Sequence, residues 1–310
     1  MIRYLRNYEI NRSLWDRCVS QAYNGNVYAW SWYLDIVCDG WEALVEGNYT
    51  RIFPLTPARK AGIRYLFQPP FTQQLGLFSK GSPGGDMTDA YLSELQKFYR
   101  FAEINLNHCN RVQQAKCRVV MRRNYELDMI QPYQDLRLLY SENTIRNIRK
   151  AEKEGISITN IADPKSIIAL FRQQKGKDLK NFKPQHYTIL EQLIYKCLYK
   201  NMAISLGAYD RFNHLVAGAF LLKSHHRLIF IFSATSPAAR ASGAMHLLID
   251  TIIQNHSSQA LTFDFEGSDI PGLARFYAGF GSKEVMYPQV FINRLPWLIS
   301  TGVRLIKVLR

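Results

Sequence analysis

The stretch FDFEGSDIPGLARFYAGFGSKEVMY, Phe263 to Tyr287, constrains the fold more than any other part of the chain. It fits a strand, a loop, a short helix, a glycine turn and a second strand into very few residues. Leu261 to Phe265 alternates and is rich in large apolar residues, which predicts a buried strand ending at Glu266 and Gly267. Ser268 or Asp269 is placed to cap a helix that starts at Pro271, where a missing N–H costs nothing, and Gly279 to Gly281 stops it. The next strand is expected from Glu284. A carboxylate and a glycine at the C-terminal end of a strand, facing the start of a helix, stand where open α/β sheets hold ligands.

Upstream, the hydrophobic period switches in a fixed order. Ile156 to Ile161 reads as a strand, and Pro164 to Leu179 and Pro184 to Asn201 as two helices. Strands follow at Ala203 to Tyr209, Leu215 to Lys223 and Leu228 to Ser233, then a helix from Ala241 to Asn255. The first half repeats this order less clearly. Helices at Ser13 to Gln21 and Ala29 to Cys38 precede strands at Glu42 to Val45, Thr50 to Leu55 and Ile63 to Phe67. A helix at Asp89 to Asn105 and a strand at Cys117 to Met121 complete it. Two copies of one layout fit 310 residues, about the size of two ordinary domains.

Composition narrows the function classes. At 47% hydrophobic and 21% charged the chain can bury a large core, and it has neither a run of roughly 20 apolar residues nor a signal-peptide core. A cytoplasmic location is expected. The five cysteines, Cys18, Cys38, Cys109, Cys117 and Cys197, are odd in number and widely spaced, so neither disulfides nor a zinc site is supported. No metal is expected, since His225 and His226 sit in a turn without partners at ligand spacing. A net charge of +14 predicts attraction to polyanions: nucleic acid, a phosphorylated small molecule or an anionic membrane face. The absence of zinc-finger, RNP or basic-zipper patterns argues against sequence-specific DNA binding.

The order βααβββαβαβ of the second half, the basic segment SENTIRNIRKAEKEG before it and the GLARFYAGFG text near its end together resemble the FemABX family. Those proteins are tandem GNAT-fold, tRNA-dependent aminoacyl or peptidyl transferases that build peptidoglycan cross-bridges in bacteria. The resemblance implies an α/β (α+β) architecture of two GNAT folds, each a central mixed, mostly antiparallel sheet flanked by helices. The expected limits are 1–134 for a degenerate first domain and 135–294 for the second, with a basic helix over 141–155. The apolar, basic end LPWLISTGVRLIKVLR, 295–310, is expected to pack on the first domain, with at most peripheral membrane contact. The implied reaction transfers an aminoacyl or other acyl group to an amine, such as that of a cell-wall peptide precursor, from aminoacyl-tRNA or acyl-CoA. A binding protein that kept the fold without the chemistry, and an acyl-CoA-dependent N-acetyltransferase, are the alternatives.

Four segments carry the candidate residues. Asp264 and Glu266, alternate residues of one strand, are expected to share a face, where a carboxylate can take the proton of an attacking amine; the alternative is that they cap the next helix or pair with surface arginines. Tyr277 is placed to protonate a leaving group, and Arg275 to bind a carboxylate or phosphate, beside Gly267 and Ser268. The resembled family often has lysines where this chain has Tyr277 and Ala278. Arg146, Arg149, Lys150 and Lys153 recur at helical spacing and form a basic ridge suited to phosphates of a nucleotide-linked substrate or the acceptor end of a tRNA. The alternative is a solvated face balanced by Glu152 and Glu154. Arg240 and Gly243 match part of the GNAT pyrophosphate motif, with Met245 in its last small position and Ser242 as a possible cap. Finally, Gln73 and Gln74, in FQPPFTQQLGLF, either read an amide of the substrate, with Trp30, Trp32, Tyr33 and Trp41 as stacking surface, or satisfy local backbone.

Overall fold

The computed structural model describes residues 1–60, 62–114, 116–179, 182–267 and 269–296. The chain divides into two compact units, Met1–Arg122 with Met286–Arg310, and Arg123–Val285. In chain order the elements are β1 (Ile2–Leu5), α1 (Arg12–Gln21), α2 (Ser31–Val37), β2 (Glu42–Glu46), β3 (Arg51–Leu55), β4 (Pro57–Lys60), β5 (Ile63–Leu66), β6 (Phe78–Ser79), α3 (Gly85–Phe98), β7 (Phe101–Asn105) and β8 (Arg118–Asp128). They continue with α4 (Tyr133–Leu138), α5 (Glu142–Lys153), β9 (Ser157–Thr159), α6 (Pro164–Gln173), α7 (Pro184–Tyr199), β10 (Ala203–Tyr209), β11 (Leu215–Ser224), β12 (Arg227–Thr235), α8 (Pro237–Ser242), α9 (Ala244–His256), β13 (Thr262–Asp264), α10 (Pro271–Ala278) and β14 (Lys283–Asn293). Among the described residues no helix is long and apolar enough to cross a membrane.

The second unit is a sheet in the order β8-β13-β12-β11-β10-β9. All neighbours are antiparallel except β12 and β13. That exception follows from sequence, because α9 carries the chain back along the sheet before β13 begins, and only a crossover lets successive strands run the same way. β11 is buried along nearly its whole length, as its unbroken LVAGAFLL text requires of a strand covered on both faces. α9 lays Leu248, Ile249, Ile252 and Ile253 onto the same core as Phe230, Phe263, Phe265 and Phe280.

The first unit holds an antiparallel sheet β1-β2-β3-β6 and the strands β4, β5, β7 and β14. β5 and β7 run parallel, with α3 as their crossover, as α9 is for β12 and β13. Two strands change unit along their length. β8 leaves the first unit and pairs β13 through Glu126, Leu127 and Asp128, while β14 leaves the second and pairs β7 through Gln289–Asn293. The compact units therefore divide at 122/123 and 285/286, where the sequence pattern sets limits at 134/135 and 294.

Three elements differ from the sequence expectation. The helix expected over Asp89 to Asn105 stops at Phe98, because FAEIN alternates and forms β7, buried at every second residue. The helix expected from Ala241 is two helices broken at Gly243, whose φ of +80° suits glycine alone. Ser236, not Ser242, caps the first of them, its side chain accepting from the Ala239 amide. β13 ends at Asp264, so Glu266 lies beyond the strand and shares no strand face with it.

Candidate active site

The parallel pair β12 and β13 is short. It is in register only from Arg227↔Thr262 to Ile229↔Asp264, after which β12 runs on to Thr235 along β11. The sheet thus parts at the C-terminal ends of these two strands, and the candidate residues after Asp264 line that end.

Asp264 is not open to a substrate. It is buried, its Oδ2 accepts from Arg227 Nη2 at 2.8 Å and Nε at 3.2 Å, and its Oδ1 accepts from Asn124 Nδ2 at 3.0 Å and the Glu266 amide at 2.9 Å. Arg227 also reaches Glu126 Oε1 at 2.5 Å. The two carboxylates raise the guanidinium pKa against the burial that opposes its charge. The residue expected as a base is therefore one arm of a buried ion triad, a correction that the strand pattern alone could not supply, since Arg227 lies 37 residues away in sequence.

What the triad does is shape the next turn. The hydrogen bond from the Glu266 amide to Asp264 Oδ1 helps hold Glu266 at φ +56°, and Gly267 follows at φ +49°. Two successive left-handed residues are costly for side chains with a Cβ. A Cβ on Gly267 would also meet the Arg123 carbonyl oxygen at 2.2 Å and Asn124 Cα at 2.4 Å, so only glycine fits against β8. The half-buried Glu266 and α10 are presented beyond this turn. Pro271 starts α10 as expected, but the cap position is Ile270 and makes no side-chain cap bond, in place of Ser268 or Asp269. Ser268 itself lies outside the described residues.

Tyr277 is buried on α10 among Phe265, Phe276 and Tyr125, with ring centroids at 5.0, 5.7 and 6.2 Å. Burial, with the charge of Glu266 added, pushes its hydroxyl up to about 12. At neutral pH it is a protonated hydroxyl that feels the Glu266 carboxylate, an arrangement able to give and take protons.

α5 lies over the start of α9. Thr144, Ile148 and Ala151 form its buried face, and Ser141 caps it by accepting from the Thr144 amide. A Cβ on Gly243 would meet the Asn147 carbonyl oxygen at 2.4 Å, so the backbone of α5 sits against the break between α8 and α9. On its other face Arg146, Arg149, Lys150 and Lys153 are exposed. Among the described residues none of the four forms an ion pair, and Glu154 pairs instead with Arg211 at 3.7 Å. Arg146 and Arg149 border a groove of about 300 Å³ with Glu142 and Ile145. A larger cavity of about 490 Å³ lies among Ser141, Asn143, Thr144, His246, Gly272, Arg275 and Phe276.

Residues 141–271 match the family model described as an acetyltransferase (GNAT) domain. FemX matches with a TM-score of 0.65 at 11% identity, over 94% of this chain and 98% of that one. Residues 141–271 thus form a GNAT-type domain, and the chain has a FemX-like fold. L-PGS from Bacillus licheniformis matches with a TM-score of 0.55 at 11% identity, over 96% of both chains. The C-terminal domain of a lysylphosphatidylglycerol synthetase from Agrobacterium fabrum matches with 0.50 at 10%, over 87% of this chain and 89% of that one. No curated protein sequence matches.

In the GNAT domain the sequence candidates separate into groups. Glu266, Gly267, Arg275 and Tyr277 gather around β13 and α10, and Arg146, Arg149 and Lys150 line the exposed face of α5. Arg240 is exposed on α8, while Gly243 is enclosed by α5. Gln73 and Gln74 belong to the first unit. There Gln74 donates to Gln73 Oε1 at 2.7 Å and accepts from the His108 amide at 3.0 Å, which is the local-backbone reading. Tyr33 and Trp41 are fully buried core residues rather than a stacking surface. Residues 297–310 of the expected C-terminal helix lie outside the described residues. Sequence reasoning missed His246 and Arg227. A histidine inside AMHLLIDTII and an arginine after a two-histidine turn carry no spacing signal, and only the fold brings them to the site.

Proposed function

We propose that this protein is an acyltransferase that moves an acyl group from an activated ester to an amine, with Glu266 as base and Tyr277 as acid. The observation that carries this reading is the pairing of a half-buried carboxylate and a buried, protonated tyrosine at the parting of β12 and β13. Glu266 takes a proton from the attacking nitrogen as the C–N bond forms. Collapse of the tetrahedral intermediate breaks the bond to the leaving oxygen, which takes the Tyr277 proton, and the proton held by Glu266 passes through water to the tyrosinate, restoring both groups.

The donor we favour is not acyl-CoA. A GNAT pyrophosphate site needs open backbone amides at the start of the helix after the fourth strand, and here Gly243 is covered by the α5 backbone and followed by the buried Ala244 and Met245. The exposed ridge Arg146, Arg149, Lys150 and Lys153 suits a larger polyanionic donor, and aminoacyl-tRNA is the one that the resemblance to the FemABX family implies. A cell-wall peptide precursor is the corresponding amine acceptor. Incubation with labelled aminoacyl-tRNA and a peptidoglycan precursor, and separately with acetyl-CoA and the same precursor, tests both halves. Transfer from the tRNA alone is expected. Transfer from acetyl-CoA overturns the donor assignment, and no transfer from either overturns the enzyme assignment in favour of a binding module, the reading that the locked state of Asp264 supports.

A further inference from the structure

The cavity beside α10 has a chemistry of its own. Among the described residues no acidic side chain lines it, and Arg275 there is a permanent cation. Arg275 is exposed and, among the described residues, has neither a carboxylate partner nor a side-chain hydrogen bond. The side-chain oxygens of Asn143 and Ser141 are already engaged. Asn143 Oδ1 accepts from Arg146 Nη2 at 2.7 Å and Asn147 Nδ2 at 3.3 Å, which leaves the Asn143 amide NH₂ as its free end. Ser141 Oγ accepts from the Thr144 amide at 3.2 Å and lies 3.0 Å from Thr144 Oγ1. His246 stands edge-on to Phe276 at 4.8 Å, and burial lowers its imidazole to about 4, so it adds no charge at neutral pH. α5 and α10 both begin at the rim, with helix ends that favour anions.

We propose that this cavity is a subsite for an oxyanion, carboxylate or phosphate, bound by the Arg275 guanidinium and the Asn143 amide against a wall of His246 and Phe276. A guanidinium without an internal carboxylate is the side chain best shaped for either group, since its forked donors match two oxygens at once. A free amine has no acceptor of opposite charge there. The assignment rests on the acyl-transfer reading only for which molecule carries the oxyanion. Binding of a bare oxyanion does not depend on it.

The test follows the His246 ring resonance, assigned with His246→Gln, while inorganic phosphate, N-acetylglycine or ethylammonium chloride is added at constant ionic strength. A saturable shift is expected with phosphate or N-acetylglycine by about 10 mM, and none with ethylammonium. The preferred probe tells whether the group is a phosphate or a carboxylate. Arg275→Met is expected to weaken binding at least about tenfold and Arg275→Lys to retain part of it, with the melting temperature unchanged in both. No shift with either anion, equal binding in Arg275→Met, or equal binding of ethylammonium overturns the proposal. Anion binding with no acyl transfer from any donor sinks the acyl-transfer reading alone. Transfer that survives with anion binding indifferent to Arg275 sinks the subsite alone.

Discussion

The two units share an order of elements and differ in what stands at the end of their parallel strand pair. In the first unit β5 and β7 meet at Leu66↔Ala102, and the chain then returns between them. The Leu75 amide donates to the Asn105 carbonyl at 3.0 Å, and the Asn107 amide donates to the Leu75 carbonyl at 2.7 Å. Around this insert Asn24, Asn107 and Asn110 all donate to the Leu77 carbonyl. In the second unit, among the described residues, no segment pairs with β12 on that side beyond Ile229. Its place is left to the Glu266–Gly267 turn and α10. One layout thus gives a filled parting and an open one. The amides of the first hold the insert through the Leu77 carbonyl, whereas the open one keeps Glu266, Tyr277 and, among the described residues, an Arg275 guanidinium without a carboxylate partner.

That contrast can be broken at several points, beginning with the costliest. Arg227→Met leaves the buried Asp264 and the half-buried Glu126 without their cation and is expected to cost about 3 to 5 kcal/mol in urea unfolding. Arg64→Met in the first unit strands a single carboxylate, Glu42, that keeps the Tyr99 hydroxyl as donor, and about 1 to 2 kcal/mol is expected. Equal losses would remove the case that the triad is special. Gly267→Ala meets backbone at a positive φ and should cost about 2 to 4 kcal/mol, against about 1 for Gly62→Ala, where φ is +77° and the space is open.

Glu266→Gln and Tyr277→Phe should each lower kcat roughly 100-fold, with melting temperatures close to the parent. Gln74→Met, in the filled parting, should cost about 1 kcal/mol of stability by removing the side-chain acceptor of the His108 amide and leave kcat untouched. An effect of Gln74 on KM would restore the glutamines as substrate contacts. The smallest effect concerns pH. The His246 imidazole is held below its ordinary value of 6.5, at about 4, so between these values the unfolded chain binds the extra proton. The stability it contributes is present above about pH 6.5 and is lost as pH falls towards 4. Allowing for its partial exposure, about 1 kcal/mol is at stake. His246→Gln should flatten that stretch of the pH profile.

The architecture was legible because its signals are local. Pro271, the glycines after α10, the buried run of β11 and the ridge spacing on α5 each act within a few residues, and each element stands where its text places it. The site was half legible for the same reason. Glu266, Tyr277 and Arg275 are close in sequence to the strand end that announces them. Asp264 looked identical to Glu266 in that text, because its fate is decided by Arg227 and Asn124, which arrive on other strands. Gln74 could be read either as a ligand contact or as a partner of local backbone, because a buried amide and a recognition amide have the same composition. Gly243 matched a phosphate motif whose openness depends on α5, a helix nearly 100 residues upstream.

The exchange of β14 has a consequence for biosynthesis. The second unit is one uninterrupted stretch, Arg123–Val285, and has all its strands as soon as that stretch leaves the ribosome. The first unit, though made first, cannot finish β7 until Gln289–Asn293 arrive. At the usual pace of translation that edge waits roughly 10 to 40 s. Through that interval Phe101 to Asn105 offers an unpaired strand edge, the kind of surface that invites mispairing. The N-terminal half of this protein is therefore the part most in need of protection during synthesis, and a chain truncated before Gln289 should aggregate through β7 even with its GNAT domain folded.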